Sequence, residues 1–157
     1  MSIVYLGLGS NLGDKRSHIN HAIQLIGMEA GEVLDVSSFY NSPPWGFNSR
    51  HVFLNAVLII STEITPLELL NKTQRIEKRI GRKEKTEEGY EDRMIDIDIL
   101  FYDNQIVNLP QLTIPHPCLH KRDFVLCPLA EIAPDLVHPV LKKSVRELSE
   151  EISNKAR

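Results

Sequence analysis

Only two cysteines, one tryptophan and no long apolar run occur in the 157 residues. Each scarcity excludes something. Two thiols, Cys118 and Cys127, cannot form the bridge framework of a small secreted domain. They are expected to be reduced, as small buried or half-buried residues of a cytoplasmic protein. The segment Met1-Ser2-Ile3-Val4-Tyr5-Leu6 has no basic region and no small-residue cleavage site, so no secretory signal is expected. No stretch approaches the length of a membrane span. A formal net charge of −3 argues against a general nucleic-acid binder, which is usually basic. Phosphate-binding fingerprints are missing too. There is no G-x-x-x-x-G-K-[ST], and Gly7-x-Gly9-x-x-Leu12 lacks the third glycine of a dinucleotide loop. His116 and His120 have the interval of helical metal ligands, but Pro117 lies between them and no H-E-x-x-H is present. Zinc is not expected there.

What the sequence does have is Met94-Ile95-Asp96-Ile97-Asp98-Ile99-Leu100-Phe101. Alternation of apolar and acidic residues predicts a β-strand with Ile95, Ile97, Ile99 and Phe101 on one face and Asp96 and Asp98 on the other. The two aspartates would stand roughly 6.6–6.8 Å apart along the strand. Such a pair repels itself unless a cation lies between, and hard oxygen donors suit Mg²⁺. A site for two ions roughly 3.5–4 Å apart fits those arms. Directly before this strand, nine of the twelve residues from Arg82 to Arg93 are charged. Eight of the eighteen Lys and Arg residues fall between Lys72 and Arg93. A cationic loop beside paired carboxylates can close over a metal–phosphate complex.

In chain order, residues 3–8 predict a strand and residues 15–29 an amphipathic helix capped by Asp14, with His18 and His21 on its solvated side. Val33 to Tyr40 predicts a second strand, with Leu34, Val36, Ser38 and Tyr40 on one face. The loop from Asn41 to Asn48 carries two prolines, Trp45 and Phe47, which either plug the core or line a planar ligand's pocket. Val52 to Ser61 predicts a buried strand in which Asn55 requires hydrogen-bond partners. Thr65-Pro66-Leu67-Glu68 is a capping box opening a helix that Gly81 ends. Gln74 and Glu77 are expected to share a second face of this helix. A turn at Tyr102–Asn104 is predicted to lead into residues 105–107, and Leu112–Ile114 into another short strand. A short helix is expected after Pro128, and a last one after Ser144-x-x-Glu147. At 42% hydrophobic and 25% charged residues, the composition suits one soluble domain over 1–157. Helices interspersed with hairpin-linked strands predict an α+β sandwich with a mainly antiparallel sheet.

Taken together, the motifs resemble the 6-hydroxymethyl-7,8-dihydropterin pyrophosphokinase family of folate biosynthesis. The resemblance rests on Gly9-Ser10-Asn11-Leu12, Ser37-Ser38-Phe39-Tyr40-x-Ser42-Pro43-Pro44, Phe53-Leu54-Asn55-Ala56 and Gln74-x-Ile76-Glu77. It continues through Gly81-Arg82, Arg93-x-Ile95-Asp96-Ile97-Asp98, Pro115-His116-Pro117 and His120-x-Arg122-x-Phe124. It implies a ferredoxin-like fold. It also implies transfer of the pyrophosphoryl group of ATP to the pterin hydroxymethyl oxygen, with release of AMP. By the same resemblance Asp96 and Asp98 are the ligands of two Mg²⁺ ions, and Arg82 and Arg93 are catalytic loop arginines. Gln74, Glu77, Ile99, Thr113, His116 and Arg122 match nucleotide-pocket positions. Lys85, with Lys83 as its alternate, and Tyr90 are further nucleotide candidates in the charged loop. Ser42, Pro43, Trp45, Phe53, Asn55 and Phe124 match pterin-pocket positions. The implied partners are ATP and the pterin, with no nucleic acid or membrane, and the chain is expected to act as a monomer.

Departures from the family pattern bear on the nucleotide. Tyr90-Glu91-Asp92 replaces a frequent Trp-Gly-Pro, Cys118 stands where arginine is frequent, and Gln111 occupies a position that is basic in some relatives. Two rival functions compete with the kinase reading. One is a metal-dependent phosphoesterase using Asp96 and Asp98 to activate water. The other is a ferredoxin-like RNA-binding module, which the acidic net charge and the absence of an RNP1-type run oppose.

Overall fold

In a computed structural model of the protein, residues 1–43, 52–81 and 94–155 are described. Strand β1 (Ser2–Ser10) leads into α1 (Lys15–Glu29), followed by β2 (Glu32–Val36), β3 (Tyr40–Ser42) and β4 (Phe53–Thr62). Helix α2 (Pro66–Ile80) precedes β5 (Asp96–Tyr102), and β6 (Val107–Leu109) and β7 (Leu112–Ile114) form a separate two-stranded ribbon. A 3-10 turn (Leu119–Lys121), α3 (Asp123–Ile132) and α4 (Val145–Lys155) follow. The main sheet has the order β2-β4-β1-β5, with β3 also paired to β4. Every ladder is antiparallel. Each βαβ unit is therefore split by a central strand, which is the ferredoxin-like α+β arrangement.

Local chemistry explains the helix starts. Asp14 accepts the Ser17 amide at 3.2 Å, the box of Thr65 and Glu68 closes with Pro66 at its first turn, and Ser144 and Glu147 exchange a second reciprocal pair. Gly81 ends α2 at φ 124°, a conformation that disfavours any side chain. Helices α1 and α2 cover one sheet face over Val4, Leu6, Leu8, Leu58, Ile60, Ile97 and Ile99. Helices α3 and α4 cover the other over Val57, Leu100 and Phe101. Each such Leu, Ile or Phe stabilises the fold by roughly 1.5–3 kcal/mol.

Register produces the main departures from expectation. The strand predicted over Val33–Tyr40 is two strands. A bulge between Val33 and Asp35 turns Leu34 out to 48% exposure, and Ser37 then exchanges bonds with Val57 through its amide and its hydroxyl. A second bulge, where Tyr5 pairs with Phe101 but Leu6 with Ile99, moves Phe101 off the face of Ile97 and Ile99. Phe101 instead packs against Tyr5 beneath α3 and α4. The turn after Tyr102 forms, but residues 107–109 pair with β7 rather than folding back on β5. Helix α3 begins at Asp123, well before Pro128, which it carries buried in its interior. His18 is half-buried, its ring folded toward Ser10, whereas His21 is exposed. Cys127 is exposed rather than buried.

Candidate active site

Three neighbouring strands place Asn55, Gly9 and Asp96 in one row, because Gly9 pairs with Asn55 on β4 and with Asp96 on β5. Directly paired residues share a face, so the amide and the carboxylate look out on the same side with bare backbone between them. Two strand spacings separate them by about 10 Å. A Cβ on Gly9 would lie 3.3 Å from Asn55 Oδ1 and 3.4 Å from Phe53 Cδ1. Gly7 has the same relation to Val57 and Asp98 in the next row on that face.

At the β4 end of the row, Asn55 is 6% exposed and has the partners its burial demands. Its Nδ2 donates to Ser42 Oγ at 2.7 Å and to the Tyr40 carbonyl at 3.2 Å. The amide is thereby oriented with its oxygen toward Gly9. Ser42 is buried, Pro43 beside it is exposed, and Phe53 is half-buried. Phe124, at the start of α3, is also half-buried, and the Arg122 guanidinium lies 5.6 Å from its ring centroid.

At the β5 end, Asp96 and Asp98 lie on one face of the strand, both partly exposed. Arg122, its side chain only 8% exposed, brings Nη1 to 3.5 Å from Asp98 Oδ2. His116 Nε2 stands 3.9 Å from Asp98 Oδ1, too long for a hydrogen bond. His116 is anchored by its amide, which donates to the Leu100 carbonyl at 3.0 Å. Its Nδ1 accepts from the Cys118 amide at 3.1 Å, which leaves the ring proton on Nε2, facing Asp98. Burial, reinforced by Arg122 and opposed by Asp96, lowers its pKa to about 4. The imidazole is neutral at pH 7, so its approach to Asp98 is not an ion pair. No group of three or more His, Cys, Asp or Glu ligands occurs among the described residues. Two partly exposed carboxylates nonetheless fit Mg²⁺, which typically takes one or two carboxylates and completes its shell with water and substrate phosphates.

The remaining expected residues do not all converge. Glu77 does not share a second face with Gln74. It is 2% exposed, and its Oε2 accepts the Ile97 amide at 2.9 Å, while Gln74 is exposed. Ile99 directs its side chain into the core beneath α1 and α2, so any contact it makes with a nucleotide would use its main chain. Thr113 is exposed on β7. Trp45, Arg82, Lys85, Tyr90 and Arg93 lie outside the described residues.

The family model of 7,8-dihydro-6-hydroxymethylpterin-pyrophosphokinase matches residues 5–134. The chain belongs to this family. It is 45% identical over 151 residues to the 2-amino-4-hydroxy-6-hydroxymethyldihydropteridine pyrophosphokinase of Aquifex aeolicus, covering 96% of this chain and 92% of that one. It is 48% identical over 141 residues to the enzyme of the same name from Porphyromonas gingivalis, covering 88% and 95%. Among solved structures, an HPPK-DHPS chain in complex with substrates superposes with a TM-score of 0.80 at 17% identity, over 99% of this chain. At that identity the likeness concerns the fold. The present chain spans 44% of the length of that solved protein.

Within this pyrophosphokinase family member, the sequence reading missed two features of the site. Gly9 lies just past the strand expected over residues 3–8, yet it is a strand residue between Asn55 and Asp96, and its missing Cβ leaves room for the Asn55 amide and the Phe53 ring. Its signal was the spacing to Gly7, since glycines two apart on a strand clear one face. The second is Glu131 on α3, which binds Ser38 and Tyr40 beside the Asn55 row. Nothing local marks an exposed helical glutamate for that part.

Proposed function

We propose that this chain transfers the pyrophosphoryl group of ATP to the hydroxymethyl oxygen of 6-hydroxymethyl-7,8-dihydropterin, releasing AMP, and does so across the Asn55–Gly9–Asp96 row. The observation that carries the reading is that row, which has an amide at one end, a carboxylate at the other and a glycine between, with the Phe53 ring against it. Asn55 reads the polar edge of the heterocycle, with Phe53 and Phe124 supplying apolar ring surface and Ser42, Pro43 and Trp45 completing the pocket. The hydroxymethyl group then points along the row toward Asp96 and Asp98. Those carboxylates would hold two Mg²⁺ ions, which when bound neutralise the triphosphate and favour an in-line arrangement of attacking and leaving oxygens. The hydroxymethyl oxygen gives up its proton to solvent and bonds to the β-phosphorus, the bond from that phosphorus to the α,β-bridging oxygen breaks, and AMP departs with the electron pair.

Arg122 and neutral His116, both beside Asp98, are placed to donate hydrogen bonds to phosphate oxygens. Arg82 and Arg93 deliver further positive charge as transfer proceeds, and Lys85 and Tyr90 act from the same loop. Gln74, Glu77, Ile99 and Thr113 border the nucleotide, Glu77 through its hold on β5 and Ile99 through its main chain. The chain acts as one domain over 1–157, as a cytoplasmic monomer, with no nucleic-acid or membrane partner. No helix among the described residues is long and apolar enough to cross a membrane.

Product analysis tests this directly. The protein is incubated with ATP and Mg²⁺, with and without the hydroxymethyldihydropterin, and the nucleotides are identified. AMP formed only when the pterin is present supports the reading. ADP, or phosphate released without pterin, favours the phosphoesterase.

A further inference from the structure

Between β2 and β3 the chain leaves the β4 ladder, and one carboxylate on α3 gathers what it leaves behind. Ser37 donates its amide to the Val57 carbonyl, so the next amide, Ser38, needs an acceptor elsewhere. Glu131 supplies it. Its two carboxylate oxygens accept the Ser38 amide at 3.0 and 3.2 Å, the Ser38 hydroxyl at 3.1 Å and the Tyr40 hydroxyl at 2.5 Å. An exposed glutamate on a helix is ordinarily solvated, and this one instead binds one short segment from across the fold.

That segment leads straight into the pterin end of the row. Tyr40 pairs with Asn55, and Tyr40's carbonyl accepts the Asn55 amide whose oxygen faces Gly9. Two residues on, Ser42 accepts the same amide. Helix α3, which carries Glu131, also begins beside Arg122 and Phe124. Glu131 thus ties the strand that orients Asn55 to the helix that presents Phe124.

We propose that Glu131 is a positioning residue for the pterin, acting through Tyr40 and Ser38 to fix the orientation of Asn55. The inference rests on the assignment of the pterin to this row. Ionisation agrees with it. The bond to Glu131, with some desolvation, pushes the Tyr40 hydroxyl up to about 12, and the bond from Tyr40 holds the Glu131 carboxyl below its usual range. At neutral pH the donor keeps its proton and the acceptor its charge.

The test compares wild type, Glu131→Gln and Tyr40→Phe by calorimetry. Pterin is titrated in the presence of a non-hydrolysable ATP analogue and Mg²⁺, the analogue is titrated alone, and melting temperatures are recorded. The proposal expects Glu131→Gln to weaken pterin binding roughly tenfold, the scale of one hydrogen bond to a charged group, with analogue affinity unchanged. Tyr40→Phe should weaken pterin binding less, because the Ser38 bonds survive. Wild-type pterin affinity in Glu131→Gln would overturn it, as would parallel losses for both ligands, which mark general destabilisation. Should Glu131→Gln fail to fold, Tyr40→Phe decides alone, and an unchanged pterin affinity there overturns the proposal. If the wild type binds the analogue but not the pterin, the substrate assignment itself falls, and this inference falls with it.

Discussion

Glu77 reaches from α2 to β5 and accepts the Ile97 amide at 2.9 Å, between the two aspartates of the site. An edge strand leaves amides without a ladder partner, and a buried carboxylate satisfies this one. Glu77→Ala is therefore expected to destabilise the protein by about 1–3 kcal/mol, since it leaves a buried donor unsatisfied. Turnover should fall with it, because β5 carries Asp96 and Asp98. Glu77→Gln keeps an acceptor oxygen and should lose much less. Urea unfolding of the two variants checks this. Wild-type stability in Glu77→Ala, combined with lost ATP affinity, would make Glu77 a nucleotide ligand instead.

Gly9 is expected to tolerate substitution structurally but not functionally. The methyl of Gly9→Ala would lie 3.3 Å from Asn55 Oδ1 and 3.4 Å from the Phe53 ring, crowding the two groups assigned to the pterin. Pterin affinity should drop roughly tenfold, on the scale of one broken hydrogen bond. The nearest atoms to the methyl of Gly7→Ala are Leu100 side-chain carbons at 3.5 Å, an ordinary approach, so this variant serves as the control. Equal pterin affinities in the two variants would place the heterocycle away from this row.

The two aspartates carry different weight in the metal-free protein. Asp98 stands 3.5 Å from the nearly buried Arg122 guanidinium, so Asp98→Ala removes one of that cation's charge partners and should lower stability. Asp96→Ala leaves this pair in place and relieves repulsion between the carboxylates, so it should cost less stability than Asp98→Ala. Thermal melts in EDTA distinguish the variants. A larger loss for Asp96→Ala would reverse this assignment of charge.

His138, 5% exposed, gives a pH dependence away from the site. Its Nδ1 accepts the Val140 and Leu141 amides at 3.2 and 3.1 Å, and its ring packs edge-on to Phe101. Burial, and after it His120, lower its pKa from 6.5. The folded value is depressed, so this contribution to stability is fully present above the unfolded value of about 6.5 and is lost as pH falls through the folded one. Stability should decline below pH 6.5. His138→Asn offers a non-titrating oxygen in place of Nδ1 and should lessen the decline, the remainder coming from His116, whose pKa burial lowers to about 4. An unaltered pH profile in that variant would assign the decline to other groups.

What was legible in the sequence was local. Asp14, Thr65 with Glu68, and Ser144 with Glu147 act within a single helical turn, and each caps the helix it was expected to cap. Alternation placed Asp96 and Asp98 on one face because a strand repeats every two residues. The need of Asn55 for partners followed from burying an amide. The rest depended on register between distant strands. Nothing near Leu34 or Phe101 in the chain marks the bulges that turn one outward and move the other across the sheet. Glu77 reads as sharing a face with Gln74 away from the apolar stripe until β5 is seen to end the sheet beside it. Pro128 looks like a helix start, yet α3 carries it inside, where the burial of Val125, Leu126 and Leu129 offsets the missing amide bond.

The most direct measurement is pterin-dependent AMP formation in wild type, Asp96→Ala and Asp98→Ala at saturating Mg²⁺. The account predicts AMP from wild type only when ATP and the hydroxymethyldihydropterin are both present. It predicts near-complete loss of AMP formation in both variants, with Asp96→Ala still folded. Near-normal AMP formation in either variant, or AMP from wild type without the pterin, would contradict it.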